Sequence, residues 1–93
     1  MPVERTLEMS LSREEFFRLL PAAVGPFEVD RGVVRWSGAD RGWTIRLVPL
    51  DERQMGGMSV ARHRVELVLE GYSPPEGEAF MERFLRGFLR GGG

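Results

Sequence analysis

Ninety-three residues with a formal net charge of −1 and no cysteine suit one domain, residues 1–93, with a single core. The near-zero charge gives no global field to recruit nucleic acid or anionic lipid. Missing thiols exclude disulfides, thiolate chemistry and sulfur-ligated zinc. All thirteen basic residues are Arg, so a Schiff-base lysine and a phosphate-loop lysine are excluded too. No apolar run approaches the roughly 20 residues of a membrane span, and the N-terminus lacks a signal-peptide core, so the expectation is a cytoplasmic protein with no membrane partner. Few amides and no thiols fit a thermostable protein, although a GC-rich genome gives the same Arg bias.

Val3, Arg5, Leu7, Met9 and Leu11 alternate with Glu4, Thr6, Glu8 and Ser10, predicting a first strand with its odd positions inward. Ser12-Arg13-Glu14-Glu15 is a capping box, and Leu11 with Phe16 occupies the two positions of a hydrophobic staple. The helix buries Phe16, Leu19, Leu20 and Val24, and Pro21 is expected to end it or to start a short second turn.

Phe27 to Leu50 reads as an antiparallel meander. A two-residue turn at Arg31-Gly32 sets Val29 opposite Val34, Phe27 opposite Trp36, and Glu28 across from Arg35. A four-residue loop, Gly38-Ala39-Asp40-Arg41, then sets Trp36 opposite Trp43 and Val34 opposite Ile45. Both choices keep the large apolar residues on one face.

The central strand is Val60 to Gly71. Ala61, Val65, Leu67 and Leu69 share one face, while Arg62, Arg64, Glu66 and Glu70 share the other, the mark of a sheet covered on one side. A simple turn at Gly56-Gly57 opposes Leu47 to Glu66, which is the wrong parity. An odd loop, or a bulge near Pro49, restores Leu47 against Leu67, Ile45 against Leu69 and Gly71 against Trp43. On this reading Asp51 to Ser59 is a long, mobile excursion.

Ser73-Pro74-Pro75-Glu76 is a second capping box with Pro at the first helical position. Phe80, Met81, Phe84, Leu85, Phe88 and Leu89 then form a continuous apolar stripe. Glu82 and Arg86 pair at i,i+4, and Gly91-Gly92-Gly93 serves as cap and frayed tail. The expected fold is α+β: an antiparallel sheet of about five strands, β-α-β-β-β-β-α, with two helices packed on one face.

His63 is the one histidine, with inward parity; a histidine satisfied by a backbone carbonyl is favoured over a general base. Glu76 and Glu78 do not share a helix face, and Glu78 with Glu82 reads as an ordinary polar face, so no metal site is expected. No cofactor motif or nucleophile–base pair is legible, which leaves an enzyme as the least favoured class. Glu66, Glu70 and Glu28 lie among Arg46, Arg62 and Arg64, so the wet sheet face reads as self-paired rather than as a nucleic-acid stripe. Val48, Leu50 and Val68 are the apolar residues on that face. With Arg46, Arg64, Glu66 and Glu70 they form the candidate interface of a homodimer or a protein partner. Met55 and Met58 flank Gly56-Gly57 as an adaptable contact surface or an ordinary hairpin tip.

The stretch from Leu7 to Leu20, Leu7-Glu8-Met9-Ser10-Leu11-Ser12-Arg13-Glu14-Glu15-Phe16-Phe17-Arg18-Leu19-Leu20, resembles the opening strand and serine-capped helix of the START-like, helix-grip proteins. That group includes the polyketide cyclase-like proteins and a branch linked to carbon monoxide dehydrogenase. The closing strand and helix, Arg64 to Arg90, follow the same order, and the whole looks like a reduced version of that fold. The resemblance implies a small apolar ligand held between sheet and C-terminal helix. The candidate lining is Trp36, Trp43, His63, Leu67, Met81, Phe84 and Phe88. Two expectations follow: a non-catalytic binding or interaction protein, homodimeric through its outer sheet face, or a helix-grip protein that holds a small apolar ligand.

Overall fold

A computed structural model of the chain describes residues 2–92, with side chains as far as Phe88. In chain order the elements are β1 (Val3–Met9), α1 (Arg13–Val24), β2 (Glu28–Asp30), β3 (Val33–Ser37), β4 (Gly42–Met55), β5 (Met58–Glu70) and α2 (Pro74–Gly92). All five strands form one antiparallel sheet in the order β1-β5-β4-β3-β2, which is the α+β layout that the alternation predicts. Val34, Trp43, Ile45, Val65, Leu67 and Leu69 meet Phe16, Leu20, Ala23, Val24, Phe84 and Phe88 in one buried cluster. Both helices therefore cover the same face. The side chain of Leu89, read as part of the stripe, and Gly93, read as tail, lie outside the described residues.

Both capping boxes form. Ser12 Oγ accepts from the Glu15 N–H while Glu15 accepts from the Ser12 N–H. Ser73 and Glu76 make the same reciprocal pair at the start of α2. The glycine tail does not stop α2 short, since the helix runs to Gly92.

Pro21 does not end α1 either, because the helix continues to Val24 and closes at Gly25, whose N–H donates to the Pro21 carbonyl at 2.9 Å. Packing holds that last turn. A methyl group added at Gly87 of α2 would fall 2.6 Å from the Ala23 Cβ, so the two helices touch backbone to backbone where Ala23 is buried. One absent N–H is a small loss against that contact.

The meander follows the registers read from parity: Val29 with Val34, Glu28 with Arg35, Trp36 with Trp43, and Val34 with Ile45. The β2 ladder begins at Glu28, so the Phe27–Trp36 rung is not formed. Arg31 and Gly32 both take positive φ, 52° and 80°, the turn geometry whose twist matches a right-handed hairpin.

The β4–β5 register differs from expectation by two residues. Trp43 faces Leu69, Ile45 faces Leu67 and Leu47 faces Val65. The Gly56-Gly57 turn holds two residues, with Met55 opposite Met58, and one extra residue is absorbed where the register shifts between Leu50 and Arg53. The bulge repairs parity, as required, but lies beyond Pro49. Asp51 to Ser59 is accordingly not an excursion; it is the distal end of a paired ribbon. Gly71 lies against the β3–β4 loop rather than against Trp43, since a Cβ there would collide with the Asp40 carbonyl oxygen.

Candidate functional site

The residues assigned to the outer sheet face all lie on it, in a different arrangement. Arg46 is opposite Glu66, Val48 opposite Arg64, Leu50 opposite Arg62, and Glu70 opposite Gly42. Val68 sits between Thr44 and Glu4. The Arg46–Glu66 rung thus separates Val68 from Val48, and Arg64 also pairs with Glu66 at 3.1 Å. Leu50 and Val48 belong to the distal end of the sheet, Val68 to the proximal end.

The residues assigned to a ligand cavity divide as well. Leu67 and Phe84 are fully buried in the core, and Met81 packs against the same cluster. His63 lies at the far end of β5, opposite Met9. Its Nδ1–H donates to the Leu11 carbonyl at 2.9 Å, so that nitrogen is satisfied by backbone. Six residues of strand, about 20 Å, separate His63 from Leu69, which pairs with Trp43. Phe88 closes a second groove, of about 480 Å³, shared with Leu7, Met9, Leu11, Leu19 and Leu85 beside edge strand β1.

Trp36 and Trp43 are brought together where the helices meet the proximal end of the sheet. Antiparallel pairing puts the start of β4 and the end of β5 side by side, Gly42 opposite Glu70. The β3–β4 loop and the β5–α2 connection therefore converge there. Between them and the end of α1 opens a cleft of about 430 Å³. Its apolar walls are Trp36, Trp43, Tyr72 and Phe80, and its polar groups are Arg41, Glu76 and Arg83. Phe80 tilts against Trp43 at 5.9 Å and meets Tyr72 edge-on at 5.8 Å. From Phe80 an aromatic column runs inward through Phe84 and Phe88 to Phe16, so the cleft floor is continuous with the core.

Arg41 is held from two sides. Its Nη2 donates to Glu76 Oε2 at 2.7 Å, and its guanidinium lies 5.0 Å from the centre of the Tyr72 ring. The Glu76 hydrogen bond and charge, joined by Asp40, push the guanidinium pKa further up. The Ser73 backbone N–H, then the Ser73 hydroxyl, then Arg41 hold the Glu76 carboxyl below its ordinary range. Burial lifts the Tyr72 hydroxyl above its ordinary value, with Glu76 adding and Arg41 opposing. Tyr72 is therefore a neutral hydroxyl at neutral pH, and Arg41–Glu76 a fixed ion pair that braces one wall.

Arg83 differs. Its Nη2 lies 3.9 Å from where a Cβ on Gly25 would sit, which places the guanidinium over the C-terminal end of α1, at the cleft rim. It has no carboxylate partner among the described residues. The helix end offers about half a negative charge, which leaves about half of the Arg83 charge for another partner.

Arg41, Tyr72, Glu76 and Arg83 were not singled out as site residues by sequence reasoning. A signal existed, because the strand order places the 38–41 loop beside the 71–73 connection once β4 is paired with β5. No family model, no curated protein and no solved structure matches the chain.

Proposed function

We propose that this protein is a non-catalytic binding protein. Its ligand is a small, flat, largely apolar molecule with a negative group, seated in the cleft between the sheet end and α2. One observation carries the reading: four aromatic side chains and Arg83, which has no carboxylate partner among the described residues, converge on an open space of about 430 Å³. That volume lies within the roughly 300–1,000 Å³ of sites for small molecules. Aromatic walls favour a planar partner, because offset or edge contacts add about 0.5–1.5 kcal/mol per pair beyond burial. Arg41 is already committed to Glu76, which leaves Arg83 to meet the negative group.

Intrinsic fluorescence tests this, since both tryptophans of the chain line the cleft. Titration with 2-naphthoate should quench or shift the emission saturably, and naphthalene-2-carboxamide should bind more weakly. Arg83→Gln should abolish that preference for the anion. No spectral change with either compound, or with dodecanoate, means that the cleft is not a binding site.

A further inference from the structure

We infer that the open edge of β1 accepts an extended segment of a partner protein as a sixth, antiparallel strand, independently of any ligand in the cleft. The segment carries apolar side chains towards the helices and basic ones on its outer face. Among the described residues the sheet has two edges, β1 and β2. The β2 edge is three residues long, whereas β1 has seven, and all seven pair with β5 on one side only. In an antiparallel ladder alternate residues aim both backbone groups at the neighbouring strand. Every second residue of β1 therefore turns its N–H and C=O outward, where no strand receives them. Such a row is a template for one more strand.

A pocket lies beside the template. The groove of about 480 Å³ has Leu7 and Met9 on its strand wall and Leu19, Leu85 and Phe88 on its helix wall. Leu85 is 40% exposed, so an incoming apolar side chain removes apolar surface from water. Parity sets which side chains enter. Directly opposed residues of a ladder share a face, so those opposite Leu7 and Met9 look towards the groove. Main-chain pairing for affinity and a side-chain pocket for specificity are the two parts of recognition by strand addition.

Charge decides the occupant. Glu4 and Glu8 lie on the outer face of β1 and Arg5 on the helix side, all three exposed. Glu4 and Arg5 have no ionic partner among the described residues, and Glu8 has Arg62 at 3.7 Å. Their complement is a strand with a basic residue opposite Glu4 and Glu8 and a carboxylate opposite Arg5. A second copy does not supply it. Pairing β1 with its own copy over its full length about a two-fold axis sets Glu4 opposite Glu8 at both ends. Like charges directly opposite destabilise a ladder. Arg5, a charge on the apolar side of an edge, further discourages unselective pairing. Written from its N-terminus, opposite Met9, to its C-terminus, opposite Glu4, the complement is apolar, basic, apolar, Thr, acidic, basic.

Fluorescence anisotropy of the labelled peptide Leu-Arg-Leu-Thr-Glu-Arg, titrated with the full chain, tests the inference. Binding should saturate below about 1 mM. Glu4→Arg with Glu8→Arg should weaken it about tenfold, because two attractive cross-strand pairs become repulsive. That double variant should instead prefer Leu-Glu-Leu-Thr-Glu-Glu. Both substituted side chains are exposed, so the far-UV circular dichroism should not change. Backbone N-methylation of the peptide at one set of alternate residues should abolish binding, and at the other set should leave it, since one set alone faces β1. No saturable binding to the parent, equal binding of the two methylated peptides, or a β1-to-β1 dimer that the peptide does not dissociate overturns the inference.

Discussion

Along β4 and β5, the proximal rungs from Trp43–Leu69 to Leu47–Val65 lie beneath the helices and beside β1 or β3, whereas the distal rungs from Arg53–Val60 to Met55–Met58 have neither neighbour nor cover. The strands are the same, and the ladder bonds are of one kind. A net hydrogen bond contributes about 0.5–1.5 kcal/mol, while burying a large apolar side chain contributes about 1.5–3 kcal/mol. Leu67 and Leu69 are buried and Met55 and Met58 are not, so the two halves differ in what holds them rather than in how they pair. Cover, not pairing, anchors this sheet.

The largest test removes the cover. Phe84 is fully buried at the centre of the aromatic column, and Phe84→Ala should cost about 3–5 kcal/mol. For a domain of this size that lowers Tm by more than about 12 °C. A melting curve that coincides with the parent's would break the comparison outright, since α2 would then not be what stabilises the proximal rungs.

A pair of glycines sharpens it. Gly71 and Gly57 share nearly the same left-handed backbone, φ 79° and 85°. At Gly71 an added Cβ collides with the Asp40 carbonyl and falls 2.9 Å from the Arg41 Cα, while at Gly57 it meets nothing within 4 Å. Gly71→Ala should combine backbone strain with overpacking and cost roughly 2–4 kcal/mol. Gly57→Ala should carry the strain alone, about 1–2 kcal/mol. Chemical denaturation of the two variants measures the difference, and equal losses would mean that the proximal loops are no more tightly packed than the arm.

The smallest effect appears only as pH changes. Glu76 titrates below its ordinary range in the folded chain, because the Ser73 N–H, the Ser73 hydroxyl and Arg41 all favour its charged form. Its contribution is therefore present above the unfolded carboxylate pKa, about 4.3, and is lost as pH falls through the folded value. Glu76→Gln keeps a capping-box acceptor but removes the charge. The variant should be less stable than the parent at neutral pH, and the gap should narrow as the pH falls below the ordinary carboxylate range. A gap that stays constant across that range would show that the ion pair with Arg41 does not brace the cleft.

Much of the fold is legible in the residue order. The capping boxes at Ser12 and Ser73 are local, needing four consecutive residues each, and both form as read. The β2–β3–β4 registers follow from the short loops Arg31-Gly32 and Gly38–Arg41, because a loop of fixed length and a period of two leave one register that buries Val34, Trp43 and Ile45 together. Placement in the sequence also sets Trp36 and Trp43 side by side, and with them one wall of the cleft.

Parity runs out at β4–β5, where it demands an odd residue without saying where that residue is absorbed. Shifting the ladder by two keeps every side chain on its face, so alternation alone does not separate Leu47–Leu67 from the observed Leu47–Val65. Three-dimensional packing decides it, through Gly71 fitting against Asp40 and Arg41 and β1 closing the other side of β5. The same packing carries α1 through Pro21, by way of the Ala23–Gly87 contact, and draws Arg41, Tyr72, Glu76 and Arg83 from distant parts of the chain around one opening. Local chemistry and side-chain period determine the elements and their inward faces. Which elements end up touching depends on long-range close packing, and so do the cleft and the unsupported arm.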